Sequence, residues 1–187
     1  MPRIHINGAS GTGTTTLGLA LATEFGCPHF DADDYFWLPV EPPYTVKRDV
    51  VERNGKLLSD LQANPSWVLS GSIDGWESGV EKLLTLVVFL YLPRELRLQR
   101  LRERESREFG DAIEPGGVMH AGYEEFIAWA GRYDTSGMEQ RSLVRHEAWH
   151  AKVDCPVLRI EDDTTTTERL KRVVSYFDST GALQEHA

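Results

Sequence analysis

At 187 residues, 41% hydrophobic and 26% charged, the chain has the size and composition of one soluble globular domain with a proper core. A net charge of −9 argues against nucleic acid as its main ligand, because neutralising phosphates along a strand needs a basic face. No apolar run reaches membrane-spanning length, no charged-then-apolar leader opens the chain, and Cys27 and Cys155 lie beside prolines with no metal-ligand spacing, so a cytoplasmic protein with buried reduced thiols and no membrane contact is expected.

The segment Arg3–Ala22 carries the strongest signal. Ile4 and Ile6 alternate as in a strand, a small-residue turn runs from Gly8 to Gly13, and Leu17, Leu19 and Leu21 follow in helix-forming context. Strand, glycine loop and helix are what a phosphate-binding loop needs: glycines let backbone N–H groups form a concave nest, and the helix N-terminus adds partial positive charge. Gly8, Ala9, Ser10, Gly11, Thr12, Gly13, Thr14, Thr15 and Thr16 are the candidate phosphate ligands. The spacing fits GxxxxGK[ST] at every position but one, where Thr14 replaces lysine. Thr15 occupies the Ser/Thr position whose hydroxyl binds Mg²⁺. Losing such a cationic donor costs roughly 3–4 kcal/mol at a transition state, and Arg3 is the only lysine or arginine before Lys47.

Cys27–Trp37 reads as a short second strand ending in carboxylates. Extended backbone puts Asp31 and Asp33 on one side, at the sheet edge where open α/β proteins bind ligands. One would serve Mg²⁺ and the other would accept a proton, while Asp34 caps the next segment. Leu38–Tyr44 is a proline-rich bend, and a helix is expected from Thr45 through Leu61. Lys47 and Arg48 are candidates to grip an anionic acceptor, with Arg53 assigned to a solvated face. Trp67–Leu69 is a buried strand breaking into small polar residues, so Gly71 and Ser72 are candidate substrate contacts and Trp76 a candidate pocket wall.

Thr85–Leu92 is the clearest strand, apolar enough to be central, and Pro93 suits the start of a helix. Six arginines crowd into Arg94–Arg107, and Arg97, Arg100, Arg104 and Arg107 recur as one positive stripe. The glycine-rich stretch Arg107–His120 reads as a mobile cover. A helical stretch from Gly122 to Val153, broken near Gly137, brings Arg132, Arg141 and Arg145; His146 and His150 have metal-friendly spacing but no evident third ligand. Cys155–Ile160 is the last strand, and a helix from Thr166 to Phe177 closes the domain.

Five strands alternating with helices, a phosphate loop after the first and a cover after the fourth together resemble the nucleoside-monophosphate kinase superfamily, adenylate kinase-like. The Asp-x-Asp of Asp31 and Asp33 is similar to that of shikimate and gluconate kinases. The resemblance implies a three-layer α/β P-loop fold, with a five-stranded parallel sheet in the order 2-3-1-4-5 flanked by helices and a mobile lid. It implies a single domain over 1–187, with acceptor binding at about 34–64 and the lid at about 105–122. ATP and Mg²⁺ are the implied cofactors, Thr15 and Asp31 the metal contacts, and Asp31, Asp33, Arg104 and Arg107 the catalytic set. The expected activity is phosphoryl transfer to a small hydroxy-acid or a nucleoside monophosphate; the alternatives are a non-catalytic nucleotide binder and a slow triphosphatase.

Overall fold

The first strand, β1 (Arg3–Gly8), lies at the centre of a five-stranded sheet in the order β2-β3-β1-β4-β5, all pairs parallel. A computed structural model describes residues 1–180 of the chain. Its other strands are β2 (His29–Asp31), β3 (Trp67–Ser70), β4 (Leu86–Leu90) and β5 (Val157–Ile160). The helices are α1 (Thr14–Phe25), α2 (Ala32–Phe36), α3 (Val50–Gln62), α4 (Arg94–Phe109), α5 (His120–Gly131), α6 (Leu143–His150) and α7 (Thr166–Thr180). This is the expected P-loop kinase-like topology. Among the described residues no helix is long and apolar enough to cross a membrane.

Strand periodicity divides the core into two layers. Ile4, Ile6, Val88 and Leu90 point to the face covered by Leu17 and Leu21 of α1 and by Val173 and Phe177 of α7. Trp67, Leu69 and Val87 point to the opposite face, under Leu57 and Leu61 of α3 and Trp149 of α6. A third cluster joins α4 and α5 through Leu98, Leu101, Ile127 and Ala130.

Several boundaries differ from expectation for local reasons. The second strand stops after three residues because Asp31 caps α2 at once. Helix α3 begins at Val50, not Thr45; Asp49 caps it, accepting from the N–H groups of Val51 and Glu52, while Lys47 pairs with Trp37 in an antiparallel bridge. Val50 is then exposed instead of apolar-facing. Arg97 is not part of a surface stripe: it is fully buried, donating to Leu92 O, Ala130 O and, at 2.5 Å, Asp134. The long helical stretch divides into α5 and α6 around the 132–142 turn. Cys27 and Cys155 are free, half-buried thiols whose pKa burial raises.

His146 and His150 belong to a buried polar layer and form no cation site. Tyr133 lies 2.7 Å from His146 Nδ1, and Ser72 Oγ lies 2.9 Å from Nε2 and donates to Asp74. A neutral Nε2–H tautomer satisfies the whole chain. His150 Nε2 meets Asn7 Oδ1 at 3.2 Å, and His5 Nδ1 meets the Leu69 carbonyl at 3.2 Å. Among the described residues no group of three or more His, Cys, Asp or Glu could hold a metal ion.

Burial lowers the pKa of His5 to about 3 and of His150 to about 4. The unfolded chain, with histidines near their ordinary pKa, binds more protons below about pH 6.5. Stability therefore falls as pH drops from 7 to 5, by about 2 kcal/mol per histidine. Urea unfolding at both pH values checks this: His150→Gln flattens the dependence by about one histidine's share, and an unchanged slope contradicts the account.

Candidate active site

The loop after β1 is held open from behind. Gly11 has φ 86°, and a Cβ there would lie 2.6 Å from the Arg97 carbonyl oxygen, so only glycine lets α4 approach. Thr12 is buried, its hydroxyl donating to Ala9 O at 2.8 Å. Gly13, left-handed at φ 93°, is the N-cap of α1 and brings no side-chain cap. In α2, α3 and α6, by contrast, Asp31, Asp49 and Ser142 close the first turn. The first-turn N–H groups from Thr14 to Thr16 thus have neither an intrahelical acceptor nor a side-chain cap, which suits an anion. Thr14 is half-buried; Thr15 and Thr16 are exposed.

Asp31 is the junction of three segments. Its Oδ2 accepts from the Thr15 hydroxyl at 2.9 Å and from the Ser70 hydroxyl at 2.9 Å. Its Oδ1 accepts from the Asp33 N–H at 3.0 Å. The cap expected at Asp34 is therefore at Asp31, and Asp33 does not share a strand face with it, because Asp33 already belongs to the first turn of α2. The pair nonetheless stays together through this turn.

Asp33 keeps surface open to solvent, while the protein packed around it takes solvent from its charged form. Crowding raises its pKa; Asp31 pushes the same way, while Arg141 and Arg104 oppose. Three separate segments thus act on one carboxylate: α2, the turn before α6 and the C-terminal half of α4. Tyr44, at φ 62°, reaches the same neighbourhood, its pKa raised by burial and by Glu108 and Asp33.

The other expected site residues divide. Gly71, at φ 96°, keeps its backbone against α2: an added Cβ would lie 2.8 Å from Ala32 Cβ and 3.5 Å from Asp31 Oδ1. Arg104, exposed, rests on Glu105, and Arg107 is exposed on the last turn of α4. Lys47 Nζ lies 5.5 Å from the Phe36 ring centroid. Arg48 is engaged otherwise, donating to Tyr35 O at 3.1 Å and pairing with Glu52 at 2.7 Å. Ser72 turns into the buried His146 layer, where burial would raise the Asp74 pKa but bonds from His146 and Ser72 hold it well below the usual carboxylate range.

Arg53 corrects the reading most. It is buried, with its guanidinium 3.9 Å from the Trp76 ring centroid and 5.6 Å from that of Phe36. Among the described residues its one side-chain hydrogen-bond partner is the Asn54 amide oxygen at 3.0 Å, and it makes no ion pair with them. Trp76, itself buried, is the floor on which this cation lies. The signal was present in the spacing: Arg53, Leu57 and Leu61 recur every four residues on one helix face. Arg141, half-buried, also makes no ion pair among the described residues and lies 5.4 Å from the Trp129 ring centroid.

Solved structures with similar backbones define the class. The chain aligns with a shikimate kinase of Acinetobacter baumannii, solved in complex with shikimate, at TM-score 0.55 and 20% identity, covering 96% of this chain and 94% of that one. A gluconokinase of Sinorhizobium meliloti 1021 aligns at TM-score 0.54 and 14% identity over 99% and 98% of the two chains. The deoxyadenosine kinase of M. mycoides gives 0.53 and 14% over 95% and 99%. These likenesses establish a P-loop kinase-like fold. No family model matches the sequence. The chain belongs to the same family as the uncharacterized protein YqaC of Bacillus subtilis (strain 168), to which it is 45% identical over 176 residues, 94% of this chain and 97% of YqaC.

Asp31→Ala removes a cap and the acceptor of two hydroxyls, and lowers stability by about 1–2 kcal/mol. Asp31→Asn keeps an acceptor oxygen and loses less. Denaturant unfolding of both variants distinguishes them; equal losses would deny Asp31 its junction role.

Proposed function

We propose that the protein is an ATP-dependent kinase of a small anionic acceptor, phosphorylated on a hydroxyl group. The observation that carries this reading is the convergence at Asp33: its N–H bonds to Asp31, which holds Thr15 of the loop, and Arg141 and Arg104 are near enough to act on its charge. Gly8 to Thr16 form the triphosphate cradle, residues about 34–64 the acceptor region and about 105–122 the lid.

The proposed metal site passes a test of fit. Mg²⁺ commonly takes only one or two protein oxygens and completes its shell with phosphate and water. Thr15 Oγ1 and Asp31 Oδ2, 2.9 Å apart at the start of α1, supply that number. Thr15 and Asp31 would hold the ion there, and its chemistry would be to neutralise phosphate charge. Gly71 and Ser70 hold Asp31 against the loop.

Asp33 accepts the acceptor's hydroxyl proton, a role for which a carboxylate pKa shifted toward neutrality is favourable. A nucleoside monophosphate, attacking through an ionised phosphate, needs no such base, so the raised pKa favours a hydroxyl acceptor. Arg53 supports an anionic one: a buried guanidinium without a carboxylate partner leaves its charge to be met by a ligand. Arg141 and Arg104 contribute positive charge where the transferred group would develop negative charge, the task for which Thr14 offers nothing.

One observation favours a second reading. A loop without lysine suits a binder or a slow triphosphatase, for which Asp33 needs no acceptor. ADP release from ATP with Mg²⁺, measured against gluconate, shikimate and other hydroxy-acids and against nucleoside monophosphates, separates the readings. Acceptor-dependent release is expected, falling on the acid side as Asp33 protonates. Asp33→Asn should cut it by about 10²-fold or more and leave ATP-induced stabilisation intact. Undiminished turnover in that variant would remove Asp33 as the base, and release indifferent to every acceptor would favour the triphosphatase.

A further inference from the structure

Behind the phosphate loop lies a cation that neither the fold nor the proposed chemistry has so far used. Arg169, on the first turns of α7, is 4% exposed. Its Nη1 donates to the Thr12 carbonyl at 2.6 Å, its Nη2 to the Asp162 carbonyl at 3.4 Å, and its Nε to Thr164 Oγ1 at 3.5 Å. Every one of these acceptors is neutral. The two nearby carboxylates are occupied elsewhere: Asp162 by Arg172 through bonds of 2.7 and 2.6 Å, Asp163 by Arg100 at 2.6 Å. Arg169 therefore has its hydrogen bonds met and its charge unpaired.

The position of that charge is specific. A Cβ built on Gly13 would lie 3.4 Å from Arg169 Nη1, so the guanidinium sits directly against the residue that caps α1. The guanidinium touches the loop at the Thr12 carbonyl and at Gly13, which has no side chain to add distance. Helix α7 is phased to deliver it: Thr165 and Glu168 form a reciprocal capping box, with bonds of 2.8 and 3.2 Å, and Arg169 follows next. Burying a cation among neutral partners is unfavourable unless an anion compensates, and the low-dielectric surroundings extend its field across a thin wall.

We propose that Arg169 is the phosphate loop's own cation, a positioning residue that holds Thr12 and Gly13 and supplies from behind the loop the positive charge that Thr14 does not supply from within it. This rests on the reading of residues 8–16 as a triphosphate site. Arg141 and Arg104 serve the transferring group; Arg169 serves binding of the polyphosphate and is present whether or not the lid is closed.

The test is calorimetric titration of the full chain with ATP and Mg²⁺, paired with urea unfolding of the ligand-free protein. Arg169→Gln keeps donors for the two carbonyls and removes the charge; it should bind about tenfold or more weakly, by a few kT of lost field. Arg169→Lys keeps the charge and should stay within about threefold of the parent. Adding Thr14→Lys to Arg169→Gln should recover most of the loss. A purely structural strut predicts the reverse pattern, in which ligand-free stability falls in both variants and Thr14→Lys restores nothing. Unchanged affinity in Arg169→Gln, or equal losses for Gln and Lys, would overturn the proposal. If Arg169→Gln does not fold, Thr14→Lys alone decides: a gain of no more than about threefold supports a loop that already has its cation, and more than about tenfold overturns it. Absence of binding by the parent protein itself would overturn the phosphate-loop reading and this inference with it, a result distinct from binding that ignores residue 169.

Discussion

One carboxylate holds the site together. Asp31 accepts hydrogen bonds from Thr15 on α1, Ser70 at the end of β3 and Asp33 in α2. Thr15 and Ser70 lie 16 and 39 positions from Asp31, and the shared acceptor ties the loop and the start of α2 to the sheet edge that the β2–β3 register has already placed beside them. Because β2 is only three residues long, its ladder ends at the Asp31–Ser70 pair, and the side-chain bonds of Asp31 continue the contact beyond it. The hydrogen bonds also explain how Asp33 arrives where it does: its own N–H turns back onto Asp31, two residues before it, and starts α2. Stability and placement of the chemistry are here the same set of bonds.

Around this junction the charges are arranged against the chain's average. The protein is acidic overall, at −9, and many of its arginines are paired: Arg48, Arg97, Arg100, Arg145, Arg159 and Arg172 all reach carboxylates. Arg53 and Arg169 are buried and Arg141 half-buried, and among the described residues none of the three forms an ion pair. With carboxylates abundant, unpaired and desolvated cations are costly and need a compensating anion. One lies on α3, one before α6 and one against the loop after β1. That separation is what the proposed reaction, which joins two anionic ligands, would use.

The fold was largely readable because its signals are local. Apolar runs bounded by glycine and proline mark all five strands, and the glycine spacing from Gly8 to Gly13 marks the loop after the first; that this strand is the central one follows from the resemblance and not from the local pattern. What failed was the inference of direction from type. Arg53 and Arg97 looked like surface cations because arginine usually is one, yet each sits at four-residue steps from buried leucines, and packing overrode residue type. An extended chain would put Asp31 and Asp33 on one strand face; a cap at Asp31, three residues before the expected Asp34, brings Asp33 into a helix. Ser72 fell at the right edge of the sheet but found His146 and Asp74 on its buried side, partners more than seventy residues apart that no local pattern announces. Arg169 was invisible for a similar reason, since its partner Thr12 lies 157 positions away.

The claim on which the rest depends is that a loop with Thr14 in place of lysine still binds a nucleoside triphosphate. A thermal-shift titration of the unaltered protein with ATP and Mg²⁺ tests it most directly, because a ligand that binds only the native state stabilises it by RT ln(1 + [L]/Kd). The account predicts a dose-dependent rise in Tm with ATP and Mg²⁺, larger than with AMP at the same concentration. No rise at millimolar ATP would contradict it, and the cations around the cleft would then need another anion.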